Sequence, residues 1–205
     1  MKPEKKINFQ DKFFVAGASG MVGSAVCRIL NKNGYGQKEL GGRIFNPNRD
    51  ELNLLNENEV EMWFKKNKPS ITIVAAAKVG GILANSTQPY DFLIENLKIQ
   101  NNIIESSFRN GVKRLLFLGS SCIYPKLCLQ PIKEEYLLSS ELEITNQWYA
   151  IAKITGIKLC QALRNQYNFD AISLMPTNLY GPNDNYDLNT SHVMPALIKK
   201  FTNAA

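Results

Sequence analysis

Short apolar runs alternate along this chain with longer stretches in which apolar residues recur every three or four positions. The runs at 12–17, 43–46, 71–77, 113–119 and 171–175 are strand-length and rich in Val, Ile, Leu, Ala and Phe, so each predicts a strand. The periodic stretches between them predict helices. The first covers 21–33 and is closed by Gly34. Asn56 caps a second that runs to 67 with Val60, Trp63 and Phe64 on its inner face. Pro89 opens a third, which reaches Arg109 and ends at Asn110 and Gly111. A fourth, over 147–167, contains no proline and one interior glycine, Gly156. A polar Asn/Pro/Gly loop at 176–191 leads to a short last helix at 193–202, while 34–42 and 120–145 read as connections.

Strand and helix in strict alternation argue for right-handed crossovers and a parallel sheet covered on both faces. The predicted class is α/β, a doubly wound parallel sheet of the Rossmann type, with 1–11 as a tail and 12–205 as one domain. The length of 205 residues suffices for a buried core, and 44% hydrophobic with 20% charged residues is ordinary for a globular protein. The net charge of +6 is scattered rather than striped, which argues against a nucleic-acid partner. Four cysteines form no CxxC pair and there is one histidine, so neither a disulfide framework nor a metal site is expected. Residues 1–10 carry no apolar signal region, and no apolar run is long enough to span a membrane; the expected location is cytoplasmic.

Candidate chemistry clusters at the carboxyl ends of the predicted strands. Gly17, Ala18, Ser19, Gly20, Met21, Val22 and Gly23 follow the first strand and open the first helix. In that context three spaced glycines serve a tight turn, backbone approach to a pyrophosphate, and close helix–sheet packing, with the helix N-terminus supplying donors. Arg49, just beyond the second strand, suits a 2′-phosphate and so favours NADP over NAD. The fourth strand ends at Leu118, Gly119, Ser120 and Ser121, where a serine hydroxyl can bond a carbonyl oxygen. Tyr149 and Lys153 lie four apart on a predicted helix and so project from one face. An ammonium beside a phenol is expected to pull the phenol's pKa down, making Tyr149 a proton-transfer group.

This combination resembles the extended short-chain dehydrogenase/reductase family. The runs AAAKVGG at 75–81, LFLGSSCIYPK at 116–126, YAIAKI at 149–154, MPTNLYGP at 175–182 and SHV at 191–193 are similar, within it, to the GDP-L-fucose synthase family. That family's activity is 3,5-epimerisation and NADPH-dependent 4-reduction of GDP-4-keto-6-deoxymannose. The resemblance covers roughly 12–202 and implies Ser120, Tyr149 and Lys153 as the reductase triad, with Cys122 and His192 as the epimerisation acid/base pair. It further implies that the 17–23 loop, Arg49, Leu52, Asn53, Leu54, 118–121, Lys153, Pro176, Thr177, Asn178, Leu179 and His192 line the NADP site, and that Lys200 meets the GDP diphosphate. Homodimerisation through the Pro89 and Tyr149 helices is implied by the same likeness. Two departures stand out: Ser19 occupies a position where the family can carry a basic residue, and the chain is expected to lack most of the family's smaller C-terminal substrate domain. The competing readings are another nucleotide-sugar epimerase or dehydratase, against which the Ser-Ser-Cys run argues, and a non-catalytic NADP-binding module.

Overall fold

Five parallel strands form one sheet in the order β2-β1-β3-β4-β5, from Lys12–Ala16 (β1), Arg43–Phe45 (β2), Ile71–Val74 (β3), Arg114–Leu118 (β4) and Ala171–Leu174 (β5). The structure, a computed structural model, describes residues 7–187 and 190–204. The helices are Met21–Lys32 (α1), Glu57–Asn67 (α2), Ile82–Thr87 (α3), Pro89–Arg109 (α4), Gln147–Tyr167 (α5) and Val193–Ala204 (α6). The strand order reverses direction between β1 and β3, so the carboxyl ends of these two strands open a crevice of the kind that binds nucleotides. The predicted α/β class and all five predicted strands are observed, each within a few residues of its expected bounds.

Two apolar layers sandwich the sheet. Phe14, Val74, Leu115 and Phe117 face α2, α4 and α5, packing with Phe64, Ile103, Ile104, Ile154 and Ile157. Phe13, Val15, Ile71 and Ile73 point the other way, toward Val26 and Leu30 of α1. Successive strand residues thus serve opposite faces, which is why the strands read as continuous apolar runs rather than alternating ones. Each fully buried phenylalanine contributes about 2–3 kcal/mol of transfer free energy. Asn56 caps α2 as its position predicts, its side chain accepting from the Glu59 amide.

A buried polar knot closes the sheet at the end opposite the crevice. Asp11, 3% exposed, accepts from the Asn8 amide at 2.7 Å, the Ser70 hydroxyl at 2.8 Å and the Lys113 ammonium at 2.7 Å, tying the starts of β1, β3 and β4 together. The expected tail at 1–11 lies outside the described residues over 1–6, and beyond them Phe9 stacks on Tyr35 with ring centroids 5.1 Å apart. One helix, α3, was not expected: six residues are too few to display a period, and its N-cap, Gly81, makes no side-chain cap bond.

Candidate functional site

The glycine loop is shaped by three different constraints. Gly17 sits at φ +82°, and a Cβ there would lie 2.7 Å from the Ala76 nitrogen in the segment after β3. At Gly23 a Cβ would collide with the Gly17 carbonyl, so the start of α1 rests on its own loop. Gly20 is different: a Cβ would meet nothing nearer than 3.4 Å. The protein itself does not require a glycine at 20, and the bare backbone leaves room on the crevice side. Gly20 caps α1 without a side-chain bond, and the first turn holds no acidic residue, so the helix N-terminus keeps free donors for an anion. These features fit a dinucleotide pyrophosphate.

Around this loop, Arg49 is exposed on a turn built by Asn48, whose side chain accepts from the Asp50 and Glu51 amides, and Arg49 has no ion pair among the described residues. Leu52 is buried and Leu54 packs against the core, its carbonyl held by Asn102 at 2.9 Å, while the Asn53 amide donates to Glu59. The segment after β3 is fastened to α4 by Asn96, 2% exposed, which exchanges bonds with the Lys78 backbone at 2.9 and 3.0 Å. Sequence reasoning did not single out Asn96; its inward helical position was the available signal.

At the tip of β4, Gly119 is pinned against the end of β5: its amide donates to the Leu174 carbonyl at 2.8 Å, and a Cβ would strike the Met175 sulfur at 2.6 Å. The Ser121 amide donates to the Pro176 carbonyl at 3.3 Å, which brings the segment after β5 beside this tip. Ser120 then caps a 3₁₀ turn over Ser121–Ile123. Its hydroxyl oxygen lies 3.4 Å from the Cys122 amide and 3.1 Å from the Cys122 thiol. From α5, Tyr149 points its hydroxyl at Ser120, and Lys153 donates to the Leu118 carbonyl at 2.9 Å. Four of the five expected catalytic side chains, Ser120, Cys122, Tyr149 and Lys153, therefore meet at one point.

Their electrostatics correct one expectation. The Tyr149 phenol is pushed up, not down: burial dominates, the Cys122 sulfur adds to it, and the Ser120 hydroxyl opposes it only in part. Lys153 does not act as the predicted tuning charge, because its ammonium is aimed at the Leu118 carbonyl and lies 5.7 Å from the centre of the Tyr149 ring. Burial in turn lowers Lys153 to about 8. The Cys122 thiol is raised by burial, with the Ser120 hydroxyl and the Lys153 charge working against that rise. Spacing in the sequence located the pair, but burial decides the direction.

The remaining expected residues lie further out. His192 is exposed at the start of α6, and its ring makes no hydrogen bond to Cys122 or Tyr149 among the described residues. Its neighbourhood is nonetheless fixed: the Gly81 amide donates to the Thr190 carbonyl at 3.0 Å, holding this loop against the segment after β3. Thr177, Asn178 and Leu179 are exposed beyond β5, as is Lys200 on α6. The loop after β5 also reaches α1, where the Asn183 side chain donates to the Ser24 hydroxyl at 3.1 Å. No group of three or more metal-ligating side chains occurs among the described residues, and no described helix is long and apolar enough to cross a membrane.

Residues 13–205 match the NAD dependent epimerase/dehydratase family. A GDP-L-fucose synthase from Sinorhizobium fredii is 57% identical over 189 residues, which is 92% of this chain and 58% of the relative. GDP-L-fucose synthase 1 of Arabidopsis thaliana is 55% identical over 193 residues, 94% of this chain and 58% of the relative. The chain thus spans a little over half the length of the curated relatives it matches. A solved GDP-D-glycero-L-gluco-heptose synthase from Campylobacter jejuni, in the presence of NADPH, superposes with a TM-score of 0.88 at 38% identity, over 96% of this chain and 56% of that one.

Proposed function

Because the chain belongs to the NAD dependent epimerase/dehydratase family, we propose that its site converts GDP-4-keto-6-deoxy-D-mannose to GDP-L-fucose, by epimerisation at C3 and C5 and reduction at C4 with NADPH. The observation that carries this reading is the Cys122 thiol, 3.1 Å from the Ser120 hydroxyl on the turn after β4 and electrostatically coupled to Tyr149. A dehydratase of this fold needs acidic proton-transfer groups on that turn; a thiol there suits proton exchange at carbon. The likeness to GDP-L-fucose synthases supports the sugar and the nucleotide. The Gly17–Gly23 loop would hold the NADPH pyrophosphate, and Arg49 the 2′-phosphate.

The chemistry follows from the residues. A ketone at C4 acidifies the hydrogens on C3 and C5. Cys122 removes one and His192 returns one from the opposite face, inverting each centre. Through this exchange the Ser120 and Tyr149 hydroxyls donate to the C4 oxygen as it becomes an enolate. Burial keeps the Tyr149 phenol protonated, as a donor requires. NADPH supplies the hydride that reduces C4. Tyr149 then gives its proton to the C4 oxygen, completing the alcohol. Lys200 binds the diphosphate of the substrate.

The protein is proposed to work in the cytoplasm as a homodimer. Its α4 and α5 pack together and expose Tyr90, Trp148 and Ile151, a surface that a second copy would cover. Incubation with GDP-4-keto-6-deoxymannose and NADPH in deuterated water tests the reaction. Deuterium at C3 and C5 with NADPH oxidation is the expected result. NADPH binding with neither exchange nor oxidation would mark a cofactor-binding module instead.

A further inference from the structure

Lys153 is a charged group in a place that should discharge it. It is 3% exposed, and no carboxylate acts on it among the described residues. The titratable groups that face it are Cys122, from the turn after β4, and Tyr149, from its own helix. Strand β4 contributes the Leu118 carbonyl at 2.9 Å and the Phe117 ring, whose centroid lies 4.8 Å from the ammonium. Helix α4 contributes a neutral group, Gln100, which donates to the Ala152 carbonyl at 2.7 Å, one residue before Lys153. An ammonium left among such neighbours loses its proton readily unless fixed negative potential holds it. The Leu118 carbonyl and the Phe117 ring face, with the Tyr149 ring farther off at 5.7 Å, provide that potential here.

The Phe117 ring is locked where it sits. It is fully buried, and α5 presses a glycine against it: a Cβ on Gly156 would fall 2.5 Å from the ring and 3.0 Å from the Gln100 side chain. Gly156 is therefore the residue that lets α5 approach β4 closely enough for Lys153 to lie over the ring. An interior glycine in an otherwise good helix costs about 1 kcal/mol relative to alanine, and close approach to Phe117 accounts for it. We propose that Phe117 is a positioning residue for Lys153: its ring face keeps the ammonium charged and held on the Leu118 carbonyl, beside the Ser120–Tyr149 pair. The inference rests on reading Ser120 and Tyr149 as the donor pair that Lys153 adjoins, yet its test requires no turnover.

Fluorinated phenylalanines at 117 keep the ring's shape while draining its face of negative potential. The full chain carrying mono-, di- and trifluorophenylalanine there would be titrated by NMR, following the Lys153 Nζ signal assigned with Lys153→Met. The midpoint is expected to fall stepwise with fluorine number, by about one unit in total, a roughly tenfold larger acid dissociation constant. Phe117→Leu should lower it at least as far, and should it fail to fold, the fluorinated series decides alone. A midpoint unchanged across that series would reduce Phe117 to a packing residue and overturn the inference. In turnover, the alkaline limb of the kcat profile should move with the Lys153 midpoint while KM stays put. Failure of the unmodified chain to turn over would count against the proposed reaction and leave the titration result standing.

Discussion

At the residue scale, the site works by burial more than by charge. Ser120, Cys122 and Tyr149 lie within one network, and burial raises both the thiol and the phenol, with the phenol kept as a proton donor. Tyr149→Phe should cut NADPH oxidation by about 10²–10⁴-fold while leaving NADPH affinity within a few-fold, as stopped-flow fluorescence would record. Lys153 gives a prediction with a definite sign. Its folded pKa of about 8 lies below the ordinary lysine value of 10.5, so the unfolded chain binds more protons between those limits. The contribution of this residue to stability therefore rises with pH across that window and is lost as pH falls through about 8. Urea unfolding of the protein and of Lys153→Met should diverge there by on the order of 1–3 kcal/mol, the variant showing the flatter dependence.

At the element scale, the site depends on where strands and helices touch. Gly23 lets α1 begin directly against the Gly17 carbonyl. Gly23→Ala should cost about 1–3 kcal/mol through overpacking and weaken NADPH binding, whereas Gly20→Ala, which meets nothing nearer than 3.4 Å, should leave stability nearly unchanged and weaken only the cofactor. Calorimetry with and without NADPH separates the two. At the far end of the sheet, burial alone would raise the Asp11 carboxyl, but the Asn8 amide, the Lys113 ammonium and the Ser70 hydroxyl outweigh it and hold the group below the usual range. That stability is present above about 3.9, the unfolded value, and is lost as pH falls through the lower folded one. Asp11→Asn should therefore destabilise the protein by about 1–3 kcal/mol at neutral pH, with the gap from the parent closing in acid.

For the whole molecule, the α/β order, the glycine loop and the Tyr149–Lys153 face were legible because each is written in local spacing. What spacing omits is tertiary. The upward shift of Tyr149 comes from elements brought together over long stretches of chain, and the lock between Phe117, Gly156 and Gln100 joins β4, α5 and α4. Helix α3 escaped notice because six residues cannot show a period. His192 was identified by likeness alone, and its ring makes no described bond to the other four catalytic candidates. The proposed dimer belongs at this scale as well: sedimentation should give twice the 23.1 kDa of the chain, and Ile151→Glu on the exposed face of α5 should return it to one. The central claim, that one site joins a nicotinamide to a buried phenol and thiol, is tested most directly by a crystal structure of the chain with NADP bound. The account predicts the pyrophosphate on the loop from Gly17 to Gly23 and the nicotinamide facing the Tyr149 hydroxyl, with Cys122 on the same side. A nicotinamide seated away from Tyr149, or a cofactor that bypasses the glycine loop, would contradict it.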